Sequence, residues 1–128
     1  MNSTGQTTIV GEGGTTTTNL QQGLAKVWCH YNGASAGAQD SFNITSITDN
    51  EEGKQTLTIT NDMANDNYSA TVSGSDGDAS STMHSLVASV YATGSVKCNA
   101  FRLLDTASGV PALNDFTFSN VALHGDLA

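Results

Sequence analysis

One proline, two cysteines, one tryptophan and four basic residues are all that 128 positions contain. Each scarcity removes a class of explanation. Lys26, Lys54, Lys97 and Arg102 stand against twelve acids, giving a net charge of −8 and a pI near 4.3. A surface of that sign repels phosphate backbones, so nucleic acid is not expected as a partner. No run approaches the ~20 apolar residues of a membrane span, and MNSTGQTTIV has neither a basic n-region nor a long apolar h-region. The expectation is a soluble chain with no membrane partner and no secretion signal. Cys29 and Cys98 are far apart in sequence, each inside an apolar-alternating segment and without a CxxC or other ligand spacing. They read as buried free thiols, with a disulfide between them as the alternative; zinc has no support.

What is abundant points to strands and turns. Thr (17), Ser (14), Gly (13) and Asn (11) make up 55 of the 128 residues, and charged residues are 12%, about half of the roughly 25% usual in soluble domains. Residues 1–18 hold seven Thr and four Gly, with Met1, Ile9 and Val10 as their only apolar side chains. Too apolar-poor for a core, residues 1–22 read as an extended N-terminal arm. Ile9 and Val10 are its candidate anchor on a partner surface, by apolar contact or by strand addition.

From Gly23 onward the pattern becomes period-2 alternation broken by Gly, Asn and Asp clusters. In residues 26–31, Val27, Cys29 and Tyr31 point one way and Lys26, Trp28 and His30 the other. A turn over 32–38 leads to a strand over 40–48, with Phe42 and Ile44 on one face. Ile47 falls on the opposite parity, which predicts a bulge near Thr45 or Ser46. Residues 49–53 join this strand to 54–60 as a hairpin. Further strands are expected over 67–73, 84–93, 95–104 and 116–124, with loops over 74–81 and 105–115. About seven short antiparallel strands and no long 3.6-residue period predict an all-β sandwich over residues 23–128, with a flattened barrel or jelly-roll arrangement as the variant.

Motifs that suggest chemistry have plainer explanations. Asp76 and Asp78, with Ser75 and Ser80, superficially suggest a calcium loop, but the ligand series ending in a bidentate Glu is missing. The triplets beginning at Asn2, Asn43 and Asn67 match a glycosylation pattern that has no force without a secretion signal. His30, His84 and His124 share no ligand spacing; only convergence on a trimer axis would unite three of them at a metal. No GxSxG elbow is present. Glu51 and Glu52 fall in a hairpin loop, a poor setting for paired catalytic carboxylates. Neither a catalytic residue nor a cofactor or metal site is expected.

Four segments, GLAKVWCHYNG, DSFNITSITDNEEGKQTLTIT, NDMANDNYSATVSG and SNVALHGDLA, together resemble a module at the C-terminal ends of bacteriophage tail-fibre and other virion-surface proteins. In that family the first strand is an Ala-Lys-x-Trp run ending in Asn-Gly, followed by Asp-Ser-Phe-Asn-x-Ser-Ser-Ile-Thr. The family strand more often reads Trp-Val-Asn-Phe-Asn, so Cys29 stands for a buried Val and Tyr31 for a buried Phe. The resemblance implies a trimeric β-sandwich virion protein with no catalytic residues, made in the host cytoplasm and located on the phage particle.

Within that frame a short arm on a single module favours a non-enzymatic capsid decoration or cement protein. It would bind the head surface, and so the major capsid protein, through its arm. The alternative is a tail- or head-fibre tip, or receptor-binding adaptor, attached to a fibre or tail protein and touching a host-surface glycan or protein. A free carbohydrate-binding module ranks below both, because the sequence offers no evident row of exposed aromatics. Trp28, with His30 beside it on the outer strand face, is the candidate for a subunit contact.

Overall fold

The computed structural model describes residues 8–10, 14, 17–77, 83–103 and 111–128. These form two antiparallel sheets packed face to face, preceded by a two-stranded ribbon. The ribbon pairs β1 (Thr8–Val10) with β2 (Thr17–Asn19), Ile9 opposite Thr18, and a single helical turn, α1 (Leu20–Gly23), follows it. The four-stranded sheet has the order β4 (Gly37–Phe42), β3 (Val27–Asn32), β11 (Phe118–His124), β7 (Ser69–Ser75). In the other sheet β9 (Ser95–Leu103) is central. β8 (Met83–Ala92) pairs along one side of it, and β6 (Lys54–Ile59) and the short β10 (Pro111–Leu113) share the other. β5 (Ile44–Glu51) lies outside β6.

Alternation builds the core. Val27, Cys29 and Tyr31 of β3 and Val121 and Leu123 of β11 meet Leu57 and Ile59 of β6 and Val96, Cys98 and Ala100 of β9. Phe116 closes one end; Met63 and Tyr68 close the other. Near Phe116, the buried Gln55 donates from Nε2 to Asp115 Oδ1 (2.9 Å), and the same oxygen accepts the Gly53 N–H at 2.7 Å. Gly53 has φ 69°, and a Cβ there would lie 2.7 Å from the Ala100 carbonyl oxygen. The hairpin turn therefore requires glycine on both counts. The turn itself is tighter than the five residues expected, since Glu51 already pairs with Lys54.

The expected strand over 40–48 is not one strand. It breaks at Asn43, whose φ is 62°, a conformation that Asn tolerates better than most residues. The Asn43 side chain holds the corner: Nδ2 donates to the carbonyls of Lys26 and Asn61 (both 3.1 Å), and Oδ1 accepts from the Asn61 N–H at 2.8 Å. Residues before the corner run in β4, beside β3; residues after it run in β5, beside β6. The corner resets parity, so Phe42 is 53% exposed rather than inward with Ile44. The predicted bulge is present, between Ile44 and Ser46.

Other boundaries move as well. β4 begins at Gly37 inside the expected 32–38 turn, Gly74 and Ser75 extend β7, and the 105–115 loop contains β10. The Asn2 triplet, Asp78, Ser80 and residues 104–110 lie outside the described residues.

Candidate interaction surface

The outward row of each strand in the four-stranded sheet follows from the buried row. With Val27, Cys29 and Tyr31 inside, Trp28, His30 and Asn32 must face out. Trp28 is 39% exposed. Cross-strand register then assembles a face: Phe42 lies opposite Trp28 on one side and Ala122 on the other, and Thr71 lies opposite Ala122. One row along, His30 stands between Asp40 and Asn120, and Asn120 pairs with Ser73. Directly opposed residues share a face, so three exposed aromatic rings, Trp28, Phe42 and Phe118, lie on one side of the molecule. The His30 and Phe118 rings stack, with centroids 6.1 Å apart and planes 22° from parallel.

Beside Trp28 the small side chains of Ala122 and Thr71 leave an open depression of about 270 Å³, also lined by His30, Ser73 and Asn120. A second depression, about 370 Å³, continues on the same strand pair past Ser69 and His124 to Asn65, Asn67 and Asp126. Outward groups on β7 are all hydroxyls at Ser69, Thr71 and Ser73. Neither they nor the Asn120 amide has a side-chain hydrogen bond among the described residues. A flat indole wall beside free hydroxyl and amide groups can take an apolar ring face and satisfy polar groups at its rim.

Asp49, Glu51 and Glu52 belong to the β5–β6 hairpin and Asp62 and Asp66 to the connection before β7; Asp40 is the acid on the strands of the aromatic face, and Asp126 lines the second depression. Charge depletion with aromatic enrichment is the composition of a contact surface.

Of the four residues singled out from sequence, Trp28 and His30 come together here. Ile9 (47% exposed) and Val10 (63% exposed) lie on the ribbon instead. Phe42, Phe118, Asn120 and Ser73 were not anticipated as members. Alternation in 116–124 could have revealed Phe118 and Asn120, whereas Phe42 was hidden by the corner at Asn43.

Other reactive-looking groups have structural settings. Both cysteines are free and buried. Burial, reinforced by Asp40, pushes the Cys29 thiol up to about 11, and burial pushes Cys98 up to about 12. Both are therefore protonated and poor nucleophiles at neutral pH. The Tyr31 hydroxyl, raised by the same burial, lies near Ser119 and Cys98, yet neither it nor the Ser119 hydroxyl reaches a partner at full hydrogen-bonding geometry. Asp76 Oδ2 meets His84 Nε2 at 2.9 Å and Arg102 Nη1 at 3.3 Å, and the His84 ring stands perpendicular to that of Phe116 (5.3 Å between centroids). This cluster ties the end of β7 to β8 and β9. Among the described residues no three His, Cys, Asp or Glu side chains converge as metal ligands.

Comparison of the chain with protein-family models, curated proteins and solved structures gave no match.

Proposed function

We propose that the protein is a non-enzymatic structural protein of a bacteriophage particle that decorates the capsid, bound through its N-terminal arm and assembled as a homotrimer. The sequence resemblance to virion-surface modules supplies the context. The observation that carries the reading is the exposed pair Ile9 and Val10 on a ribbon outside both sheets. A two-stranded ribbon is marginal alone, so its apolar side chains gain stability by docking on a partner. In a chain of net charge −8, copies repel at long range, and attachment rests on such short-range apolar and backbone contacts.

Stoichiometry in purified particles tests this. A decoration protein is present in hundreds of copies and remains with emptied heads, and deleting residues 1–18 removes it from the particle. Unchanged binding of the truncated protein would overturn the role given to the arm.

The exposed aromatic face favours a second reading, a fibre tip or receptor-binding adaptor. Recognition groups displayed on a rigid sheet are pre-organised to contact a host surface. That reading requires copies in the tens that leave the particle with tails or fibres.

A further inference from the structure

We propose that the trough along β7 and β11, walled by Trp28, binds a neutral oligosaccharide. Three features converge on this ligand class. The indole of Trp28 borders a depression floored by Ala122 and Thr71, which leaves its ring accessible to a flat partner. A pyranose ring presents such a face through its axial C–H groups, and the electron-rich indole face attracts these weakly polarised hydrogens. Next to the indole stand groups that match sugar hydroxyls: the Asn120 amide, which both donates and accepts, and the Thr71 and Ser73 hydroxyls. Having no side-chain partners among the described residues, these groups need not break a protein hydrogen bond to bind a ligand.

The second depression continues the trough along the same pair of strands toward Ser69 and His124. From Ser73 to Ser69 the strand rises roughly 14 Å at ~3.4 Å per residue, room for a short chain of sugars rather than one ring. Charge selects among saccharides. No Lys or Arg lines either depression, whereas Asp126 lines one and Asp40 flanks His30. A molecule of net charge −8 also repels sialylated, sulfated and uronic-acid chains, so the ligand is uncharged. A protein partner would bring a broad apolar surface across Phe42 and Phe118 as well; the hydroxyl row of β7 is better matched to a sugar than to such a patch.

This deepens the receptor-contact reading and rests on it only for biological setting. Binding is measured on the isolated protein, while the fibre-tip reading stands or falls on particle stoichiometry. The test is an array of cello-, chito-, manno- and malto-oligosaccharides with sialylated and uronate arms, probed with wild type, Trp28→Ala and Asn120→Ala. Each protein is also sized by light scattering. The expected result is retention on at least one neutral class, lowered about tenfold or more by Trp28→Ala and several-fold by Asn120→Ala, with oligomeric state unchanged. Four results each overturn the proposal: no neutral saccharide bound, binding confined to anionic arms, full binding by both variants, or dissociation of the oligomer by Trp28→Ala. The last would make the face a subunit contact.

Discussion

The outward rows of β6 and β9 carry Lys54, Thr56, Thr58, Ser95, Lys97 and Asn99 and, toward β10, Phe101 and Leu103, whereas those of β3 and β11 carry Trp28, His30, Phe118, Asn120 and Ala122. Both pairs of strands bury their other row in the same core. Inside, each sheet answers to packing alone; outside, nothing about folding demands that the central strands differ. Thr and Lys are what a solvated sheet ordinarily shows. Each sheet also sets an aromatic residue of a central strand beside a depression, but Phe101 of β9 shares its depression mainly with the apolar Met83, Leu103 and Pro111, whereas Trp28 of β3 shares its own with Thr71, Ser73 and Asn120; that contrast is what assigns polar recognition to the four-stranded sheet. The large hydrophobic residues most exposed on the other sheet, Met83, Val87, Val90 and Tyr91, lie on its edge strand β8.

Breaking the shared core should cost the most and should cost both sheets alike. Leu57→Ala on β6 and Leu123→Ala on β11 are each expected to lose about 2–5 kcal/mol in chemical denaturation. A large loss in one and almost none in the other would mean that one sheet carries the core. Next come the hairpin turn at Gly53 and the corner at Asn43. Gly53→Ala must adopt positive φ and meet the Ala100 carbonyl, a loss exceeding about 1–2 kcal/mol. Asn43→Ala forfeits the corner hydrogen bonds and should cost about 1–3 kcal/mol, with Asn43→Gly retaining the φ but not the bonds.

High pH attacks the core through its thiols. Unfolded Cys29 and Cys98 ionise near 9, while their folded values lie at about 11 and 12. Folding thus keeps their protons on, and stability is full below pH 9 and falls as pH rises from 9 toward 12. Replacing both cysteines with Val should flatten denaturation midpoints across that window; an unchanged slope would assign the alkaline loss to other groups. A smaller effect is expected at Tyr31. Because its buried hydroxyl lacks a well-formed partner, Tyr31→Phe should change stability by less than about 1 kcal/mol, and in the stabilising direction if at all.

Much of the inner architecture was legible in sequence, since period-2 burial of Val27, Cys29, Tyr31, Leu57 and Ile59 is a local property of each strand. The bulge after Ile44 was legible too, because Ile47 broke parity. The corner at Asn43 was not. Asn-Ile-Thr within an alternating run has no turn signature, and the hydrogen bonds that fix its positive φ come from Lys26 and Asn61, far away in sequence. Missing the corner hid Phe42, and with it the aromatic character of the outer face. The pairing of Ser73 with Asn120 across β7 and β11 depends on register between distant strands, which alternation within one strand cannot reveal.

The smallest effects should separate the two outer faces. Thr58→Ala, on the outer row of β6, is expected to leave stability within about 0.5 kcal/mol and saccharide retention unchanged. Loss of retention with Thr58→Ala would move recognition to the other sheet.

Because Trp28 is the sole tryptophan, fluorescence excited selectively at the indole, and not at the three tyrosines, reports on this face alone. Titrating the wild-type protein with the neutral oligosaccharides should shift its emission to shorter wavelength as the half-exposed indole is covered, with saturation and with no response to uronate chains. An emission spectrum that stays fixed through the titration, while the same saccharides bind by calorimetry, would place the binding surface away from Trp28 and contradict the account.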